Sequence, residues 1–298
     1  MHTRTSHLSP TLQGLLWMVA SGVFFTFLNA LSRALAQAFD PLQTQFLRYF
    51  FGFVVLMPWI IRHGWGRYRT SGLGHHVFRA GLHTVALSMW FTALPQIPLA
   101  DTTALGFTGP LFIMLGAYWF LREPMRWERW AATLMGFVGV LVVVGPKISW
   151  GDPSAGGYHL LMLASAPVFA ASFLMTKIQS RNEDPATLLI WQNLMITLLS
   201  LPLALMHWKA PGALHWALFL GCGILGSLGH YCQNRAISAA DVSATQSPKF
   251  LELVWAAMLG WIAFGDTPSQ STLIGGALIS AATLWVARRE RHDPKGRS

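Results

Sequence analysis

Residues 40–58, DPLQTQFLRYFFGFVVLMP, and residues 184–202, DPATLLIWQNLMITLLSLP, carry an Asp-Pro pair and a later proline at the same spacing, 144 positions apart. The same shift aligns Ala20-Ser21 with Ala164-Ser165 and Arg33 with Lys177, and a shift shorter by one aligns Ala93-Leu94 with Ala236-Ile237 and Glu123 with Asp266. Both copies are mostly apolar. The chain therefore contains one apolar unit twice, and the number of helices in that unit decides the fold.

The composition predicts an integral membrane protein. Charged residues make up 11% of the chain and hydrophobic residues 53%, whereas a soluble domain has about 25% charged residues. The net charge of +9 reflects the lysine and arginine that collect in cytoplasmic loops, so we expect a lipid bilayer and no nucleic acid as the partner. We interpret Leu12 to Leu31 as a retained first span, because the same pattern recurs internally at Leu160 to Met175.

A helix needs about 20 apolar residues to cross a hydrocarbon core of about 30 Å, and this length predicts ten spans. They are Leu12 to Ala36, Pro41 to Ile61, Val77 to Leu94, Ala100 to Leu121, Trp127 to Val144, Tyr158 to Ile178, Ala186 to Met206, Ala213 to Arg235, Val242 to Phe264 and Thr272 to Ala287. Five spans per copy is an odd number, so the second copy enters the membrane inverted. We predict an all-α membrane protein with a first repeat in residues 1–145, a second in 156–288 and a basic cytoplasmic tail in 289–298.

The distribution of basic residues predicts the orientation. Sixteen lysine and arginine residues, with Arg79 among them, fall in the termini and the even-numbered connections, and three fall on the other side. By the positive-inside rule both termini are cytoplasmic. Arg48 and Lys249 remain, and both lie inside predicted spans.

Lys249 and Glu252 are the leading candidates for a binding site. An ionisable side chain at the bilayer centre costs at least about 2.5 to 3.5 kcal/mol, so it needs a partner, a water-filled cavity or a function. At positions i and i+3 the two residues share a helix face and could neutralise each other as a structural ion pair. The functional alternative is that Lys249 receives a substrate carboxylate while Glu252 receives an amine or a proton.

Two mirrored spans carry polar faces that predict the wall of a shared cavity. His83 and Trp90 lie seven residues apart in the third span, and the eighth span carries His230, Tyr231 and Asn234. Trp17 and Ser21 in the first span extend the predicted wall. The alternatives are histidines packed against neighbouring helices and, for Trp17, an anchor at the membrane interface.

Other polar and small residues are predicted to be structural. Arg48 corresponds to Gln192 in the second copy, which favours a helix-tying role through hydrogen bonds to exposed carbonyl groups. Glu123 and its counterpart Asp266 each close a span, which favours helix-end or loop contacts. Small residues let membrane helices approach closely, and they are found in spans five and ten as Gly136, Gly139, Gly275 and Gly276.

The sequence contains no motif typical of a catalytic, metal-binding or nucleotide-binding site. It has no metal-ligand spacing, no phosphate-binding loop and no nucleophile elbow, so we predict no catalytic residue, no metal and no cofactor. Cys222 and Cys232 are ten residues apart, about 15 Å along a helix, which is too far for a disulfide.

Together these features resemble the EamA-type branch of the drug/metabolite transporter superfamily, and especially its amino-acid exporters. The resemblance rests on the five-helix repeats, Asp40-Pro41 followed by Arg48, Pro110, the Leu121-Arg122-Glu123 end of span four, and Gly136 with Gly139. It implies a secondary transporter with a central cavity between the halves and spans five and ten at the periphery.

The predicted function is export of amino acids, aromatic or other large neutral ones included, across a bacterial inner membrane by alternating access. The small-molecule substrate is the one partner besides lipid, and the oligomeric state stays open, a monomer being one possibility. Two alternatives are other kinds of carrier. A multidrug exporter would require a buried carboxylate without the competing Lys249, and a sugar-phosphate carrier would require more cations in its cavity. A membrane-embedded enzyme or a channel is the alternative from another class.

Overall fold

The computed structural model describes residues 9–36, 38–70, 72–94, 96, 105–123, 126–145, 156–264 and 269–292. Within these residues the chain forms ten α-helices and no strand. They are α1 (Pro10–Ala36), α2 (Pro41–His63), α3 (Leu73–Ala93), α4 (Gly109–Leu121), α5 (Trp127–Val144), α6 (Gly156–Gln179), α7 (Pro185–Leu205), α8 (Ala213–Ala239), α9 (Leu251–Phe264) and α10 (Gln270–His292). The all-α prediction is confirmed, and each predicted span contains one of these ten helices or most of it.

The repeated Asp-Pro pair is a helix start. The Asp40 carboxylate accepts hydrogen bonds from the backbone N–H groups of Leu42 and Gln43, and the Asp184 carboxylate accepts one from Thr187. An aspartate at the N-cap satisfies donors that a helix leaves unpaired. The proline that follows lacks only an N–H group that would be unpaired at this position. The same two residues therefore begin α2 and α7.

The helices of one half pack against those of the other in exchangeable pairs. Helix α1 packs on α8 as α3 packs on α6, α2 packs on α8 as α3 packs on α7, and α1 packs on α9 as α4 packs on α6. Helices α2 and α7 pack on each other, as do α5 and α10. If each helix is replaced by its counterpart in the other copy (α1 by α6, α2 by α7, and so on), each of these packing contacts becomes another contact of the set or stays the same. The two halves thus have related structures.

The α5–α10 pair shows why small residues are needed at helix crossings. A Cβ atom added to Gly275 would lie 2.5 Å from the carbonyl oxygen of Gly139, and one added to Gly139 would lie 2.9 Å from the carbonyl oxygen of Gly275. The backbones are in direct contact, so neither position accepts a side chain without a shift of a helix. The predicted close approach is confirmed for these two glycines.

Among the described residues, six helices are long and apolar enough, by length and composition, to cross a membrane: α1, α2, α6, α7, α8 and α10. Large apolar side chains such as Ile61, Phe120 and Ile262 are 75–77% exposed on the outside, as a lipid-facing surface requires. Helices α4 and α9 are short, with 13 and 14 residues. They occupy mirrored places in the two copies.

The structure corrects three predicted boundaries. Span nine is not one helix from Val242, because 3-10 segments at Ser243–Thr245 and Ser247–Phe250 precede α9. Helix α3 begins at Leu73, so Arg79 lies in the helix, 1% exposed, and not in the connection before it. Helix α10 continues to His292, into the segment assigned to the tail.

Candidate functional site

A cavity of about 290 Å³ lies between the two halves. Its wall is built by α1, α2, α3, α4, α6, α7 and α8, the start of α9 and the segment before it. The charged groups on the wall are Arg48, Lys249 and Glu252; the uncharged polar ones are Asn29, His83, Ser165, Ser172, Thr176, Gln192, His230 and Gln233; and the aromatic ones are Phe25, Trp90, Phe107, Phe169 and Phe173. Small-molecule sites combine aromatic surface with polar groups that orient the ligand, and this wall offers both.

The cavity wall repeats with the sequence. At the shifts of 143 and 144 that align the copies, wall residues correspond to wall residues: Phe25 to Phe169, Asn29 to Phe173, Arg48 to Gln192, Leu87 to His230, Trp90 to Gln233, Gly106 to Lys249 and Gly109 to Glu252. Because both copies contribute equivalent positions, the cavity lies where the halves meet. The chemical character of the paired positions differs, so the binding groups are arranged asymmetrically.

Lys249 and Glu252 flank the break before α9. Lys249 lies in the second 3-10 segment and Glu252 in the first turn of α9. The Lys249 ammonium is 4.3 Å from the centre of the Phe173 ring, a cation–π distance. Within the described part of the chain, no ion pair or hydrogen bond joins its ammonium to Glu252. The structure brings both predicted residues to the cavity, where their charges interact without a direct ion pair.

Arg48 differs from its prediction. Its guanidinium forms no hydrogen bond or ion pair with any described residue, and its Nε atom is buried without a partner. The Tyr49 ring lies 5.3 Å from it. The side chain therefore lines the cavity and does not tie helices together through carbonyl groups. An arginine on a cavity wall whose guanidinium has no protein partner can bind a carboxylate or another anion.

His83 and His230 form a buried network around Tyr49. The Tyr49 hydroxyl lies 2.8 Å from Nε2 of His83 and 3.3 Å from Nε2 of His230. The Nδ1 atoms of the two rings lie 3.4 Å from Ser172 Oγ and from Gln192 Nε2, respectively. Each ring uses both nitrogens, so its orientation on the wall is fixed. Sequence reasoning missed Tyr49, although it directly follows Arg48 in a polar stretch of α2.

Four predicted wall residues pack elsewhere. Ser21 Oγ donates a hydrogen bond to the carbonyl of Gly229, and Asn234 Nδ2 donates one to the carbonyl of Pro185. The rings of Trp17 and Tyr231 meet edge to face with centres 6.5 Å apart. These contacts join α1 and α7 to one face of α8. Because Asn234 lies on that covered face, the cavity is lined by its neighbour Gln233. Trp90, His83 and His230 lie on the wall as predicted, and their role in binding stays a prediction.

Glu123 lies outside the cavity at a helix end. Its carboxylate accepts hydrogen bonds from the backbone N–H groups of Val242 and Ser243 and from the Ser243 hydroxyl. This is the kind of loop contact that the sequence predicts. Asp266, its counterpart, lies outside the described residues. In the described part of the chain, no three His, Cys, Asp or Glu residues come together as a metal site requires.

In the described part of the chain, ten helices form two related halves with a polar and aromatic cavity where the halves meet, an arrangement typical of membrane transport proteins. The chain belongs to the EamA-like transporter family, whose sequence model matches residues 12–145 and again residues 157–288. It is therefore a multi-pass membrane transporter and not an enzyme.

Related proteins carry small metabolites. The chain is 34% identical to a riboflavin transporter of Rhizobium johnstonii over 93% of this chain and 91% of that protein. It is 30% identical to an S-adenosylmethionine uptake transporter of Rickettsia felis over 94% of each. A protein of known crystal structure matches with a TM-score of 0.80 at 20% identity, over 93% of this chain and 98% of that one, which supports the fold. The protein is accordingly a small-metabolite transporter of the EamA type.

Proposed function

We propose that this protein is a secondary carrier for a compact metabolite that combines an aromatic ring with a carboxylate. Amino acids with aromatic or other large neutral side chains are the first substrates in this class, and the proposed direction is export across the bacterial inner membrane. The observation that carries the proposal is the meeting of Arg48, Lys249 and Glu252 in one aromatic cavity.

The cavity chemistry matches such a substrate group by group. Two cations that lack hydrogen-bonded protein partners favour an anionic group, since an unpaired charge is costly within a membrane. Glu252 supplies an acceptor for an amine. Trp90, Phe169 and Phe173 supply flat apolar surface for a ring. A volume of about 290 Å³ lies near the lower end of small-molecule sites, roughly 300 to 1,000 Å³, which favours a compact molecule.

The relation between the halves supports alternating access as the mechanism. Two halves of related structure and opposite orientation can exchange conformations, and this exchange turns a cavity open to one side into a cavity open to the other. The domain limits 1–145 and 156–288 and the cytoplasmic placement of both termini are part of the same proposal.

Riboflavin is the second candidate substrate. Two features favour it: the 34% identity to a riboflavin transporter, and the uncharged hydrogen-bonding groups of Asn29, Gln192 and Gln233 beside aromatic rings. S-adenosylmethionine falls within the first class, because it joins an amino-acid group to an adenine ring.

Counterflow in proteoliposomes tests the proposal. Vesicles preloaded with unlabelled compound are diluted into labelled tryptophan, phenylalanine, S-adenosylmethionine or riboflavin, and the transient label accumulation is measured. We expect saturable counterflow of at least one carboxylate-bearing aromatic compound, and competition by it against the others. Counterflow of riboflavin alone would replace the first candidate by the second. Net export from loaded cells, compared with a strain lacking the protein, tests the direction.

A further inference from the structure

We infer that Glu123, Lys177 and Arg129 are gating residues. They form a clamp on the segment that joins α8 to α9, and this clamp keeps the neighbouring end of the cavity closed. This inference rests on the carrier function and not on the choice of substrate. The closed end has two layers, one apolar and one charged.

An apolar layer closes the cavity at this end. Ile113 and Phe173 belong both to the cavity wall and to a buried cluster with Ala117, Ile237 and Val242. Ala117, Ile237 and Val242 have no exposed surface. The cluster joins side chains of α1, α4, α6 and α8 to the first residues after α8. A polar substrate therefore leaves through this end only after the layer separates.

A charged layer lies directly behind the apolar one and binds its backbone. The Glu123 carboxylate accepts the N–H of Val242 at 2.9 Å and the N–H of Ser243 at 3.0 Å. The Lys177 ammonium donates to the carbonyl oxygens of Ile237 at 2.8 Å and Ala240 at 2.6 Å. Ile237 and Val242 thus contribute side chains to the apolar layer while charged groups hold their backbone.

Arg129 completes the clamp from α5. Its Nη1 lies 3.0 Å from the Asp241 carboxylate and 2.8 Å from the Ser243 hydroxyl, and Ser243 is also bound by Glu123. The clamp spans both halves, because Glu123 and Arg129 belong to the first copy and the held segment to the second. A rocking movement of one half against the other must break these contacts or preserve them as a unit.

The local backbone aims Glu123 at the segment. Arg122 ends α4 in a left-handed conformation with a φ of 53°, and the N–H of Glu123 bonds to the carbonyl of Ala117 at 3.2 Å. The chain therefore turns back over the helix end at a left-handed residue, which is a common way for a helix to end. Such a conformation is uncommon for an arginine, and here it turns the carboxylate across to Val242.

Thiol accessibility tests the gate without any substrate. Ser165 lines the cavity and precedes Lys177 by twelve residues, about 18 Å along α6, so Ser165→Cys is a nearly isosteric reporter. It is placed in a background in which Cys222 and Cys232 are replaced by alanine. Sealed vesicles of each orientation are exposed to a membrane-impermeant maleimide, and Arg181→Cys, an exposed position in the α6–α7 connection, identifies the membrane face on which the clamp lies.

We expect Glu123→Gln and Lys177→Met to raise the labelling rate of the reporter from the clamp face by about tenfold, equivalent to ~1.4 kcal/mol in the opening equilibrium. Lys177→Arg retains the charge and donors and should leave the rate near the parental value. Glu128→Gln is the matched control, since the Glu128 carboxylate is paired with Arg126 at 3.8 Å and forms no hydrogen bond or ion pair with Glu123, Lys177 or Arg129 in the described part of the chain. It should also leave the rate unchanged.

The inference is overturned if Glu123→Gln and Lys177→Met label at the parental rate while Arg181→Cys reacts fully from that face. A rise from the opposite face only would overturn it too. Ser243→Ala removes just the hydroxyl bonds to Glu123 and Arg129 and should raise the rate by roughly threefold. If the charge variants do not fold, the labelling rate of Ser243→Ala tests the inference instead, and a rate equal to the parental one overturns it. Because no substrate is present, the outcome is separate from that of the counterflow panel.

Discussion

Replacing Lys249 by methionine removes the ammonium from the cavity while keeping the length and apolar volume of the side chain. If the ammonium receives the substrate carboxylate, the variant loses a charge-assisted hydrogen bond worth about 1.5 to 3 kcal/mol. At 1.4 kcal/mol per tenfold change, the apparent affinity should fall by about 10- to 150-fold. The cation–π contact with Phe173 at 4.3 Å adds about 0.5 to 2 kcal/mol to stability, so the folded protein should persist.

The assay is counterflow of the best substrate from the panel, together with thermal unfolding in detergent. An amine that lacks the carboxylate should lose less than the parent substrate. Lys209→Met is the matched control, because the Lys209 ammonium also lies over an aromatic ring, 5.4 Å from the centre of Phe39, but does not line the cavity. It should transport at the parental rate.

The double variant Lys249→Met with Glu252→Gln distinguishes binding from mutual neutralisation. If the two charges only neutralise each other, Lys249→Met alone leaves a buried carboxylate unpaired, and the double variant restores both folding and transport. The structure joins them by no ion pair or hydrogen bond in its described part, so we expect transport to stay low in the double variant. Recovery of transport would refute the reasoning.

Three further predictions concern the wall, a helix crossing and the topology. Trp90→Ala should weaken transport of large aromatic substrates by about 2- to 12-fold, the value of an aromatic contact of about 0.5 to 1.5 kcal/mol, and should affect small substrates less; equal rates for all substrates would remove Trp90 from the site. Gly275→Ala should lower stability by about 1 to 3 kcal/mol, whereas Gly276→Ala, whose added Cβ would meet its nearest atom at 3.8 Å, should not; equal unfolding temperatures would contradict the crossing argument. Cysteines at the exposed positions Gly66 and His207 should be labelled from opposite faces of intact vesicles. Labelling of both cysteines from the same face would contradict the predicted topology.

The sequence predicts the helices well because their signals are local. Apolar length, the Asp-Pro starts and the small residues at crossings depend on near neighbours in the chain, and the structure places helices accordingly. The break before α9 also has a local signal that was missed. Pro248 lacks an N–H group and disfavours helical backbone in the residue before it, and the 3-10 segment Ser247–Phe250 forms there.

The site was predicted less well because a wall is a property of several helices together. Periodicity gives the face that Asn234 and Tyr231 share, but it does not show that α1 and α7 cover this face and leave Gln233 on the cavity. Arg48 was assigned a structural role from its glutamine counterpart. That comparison identified a position where both copies place a long polar side chain, and both side chains line the same cavity.

The paired wall positions show how a symmetric fold holds an asymmetric ligand. Lys249 and Glu252 correspond to Gly106 and Gly109, and all four line the cavity. A Cβ atom added to either glycine would meet no atom within 4 Å, so the first copy leaves space where the second copy supplies charge. At these two positions the charge comes from the second copy, while Arg48 of the first copy adds a cation at another place on the wall. We propose that the repeat provides two halves that can exchange conformations, while the differences between the copies orient the substrate in the cavity.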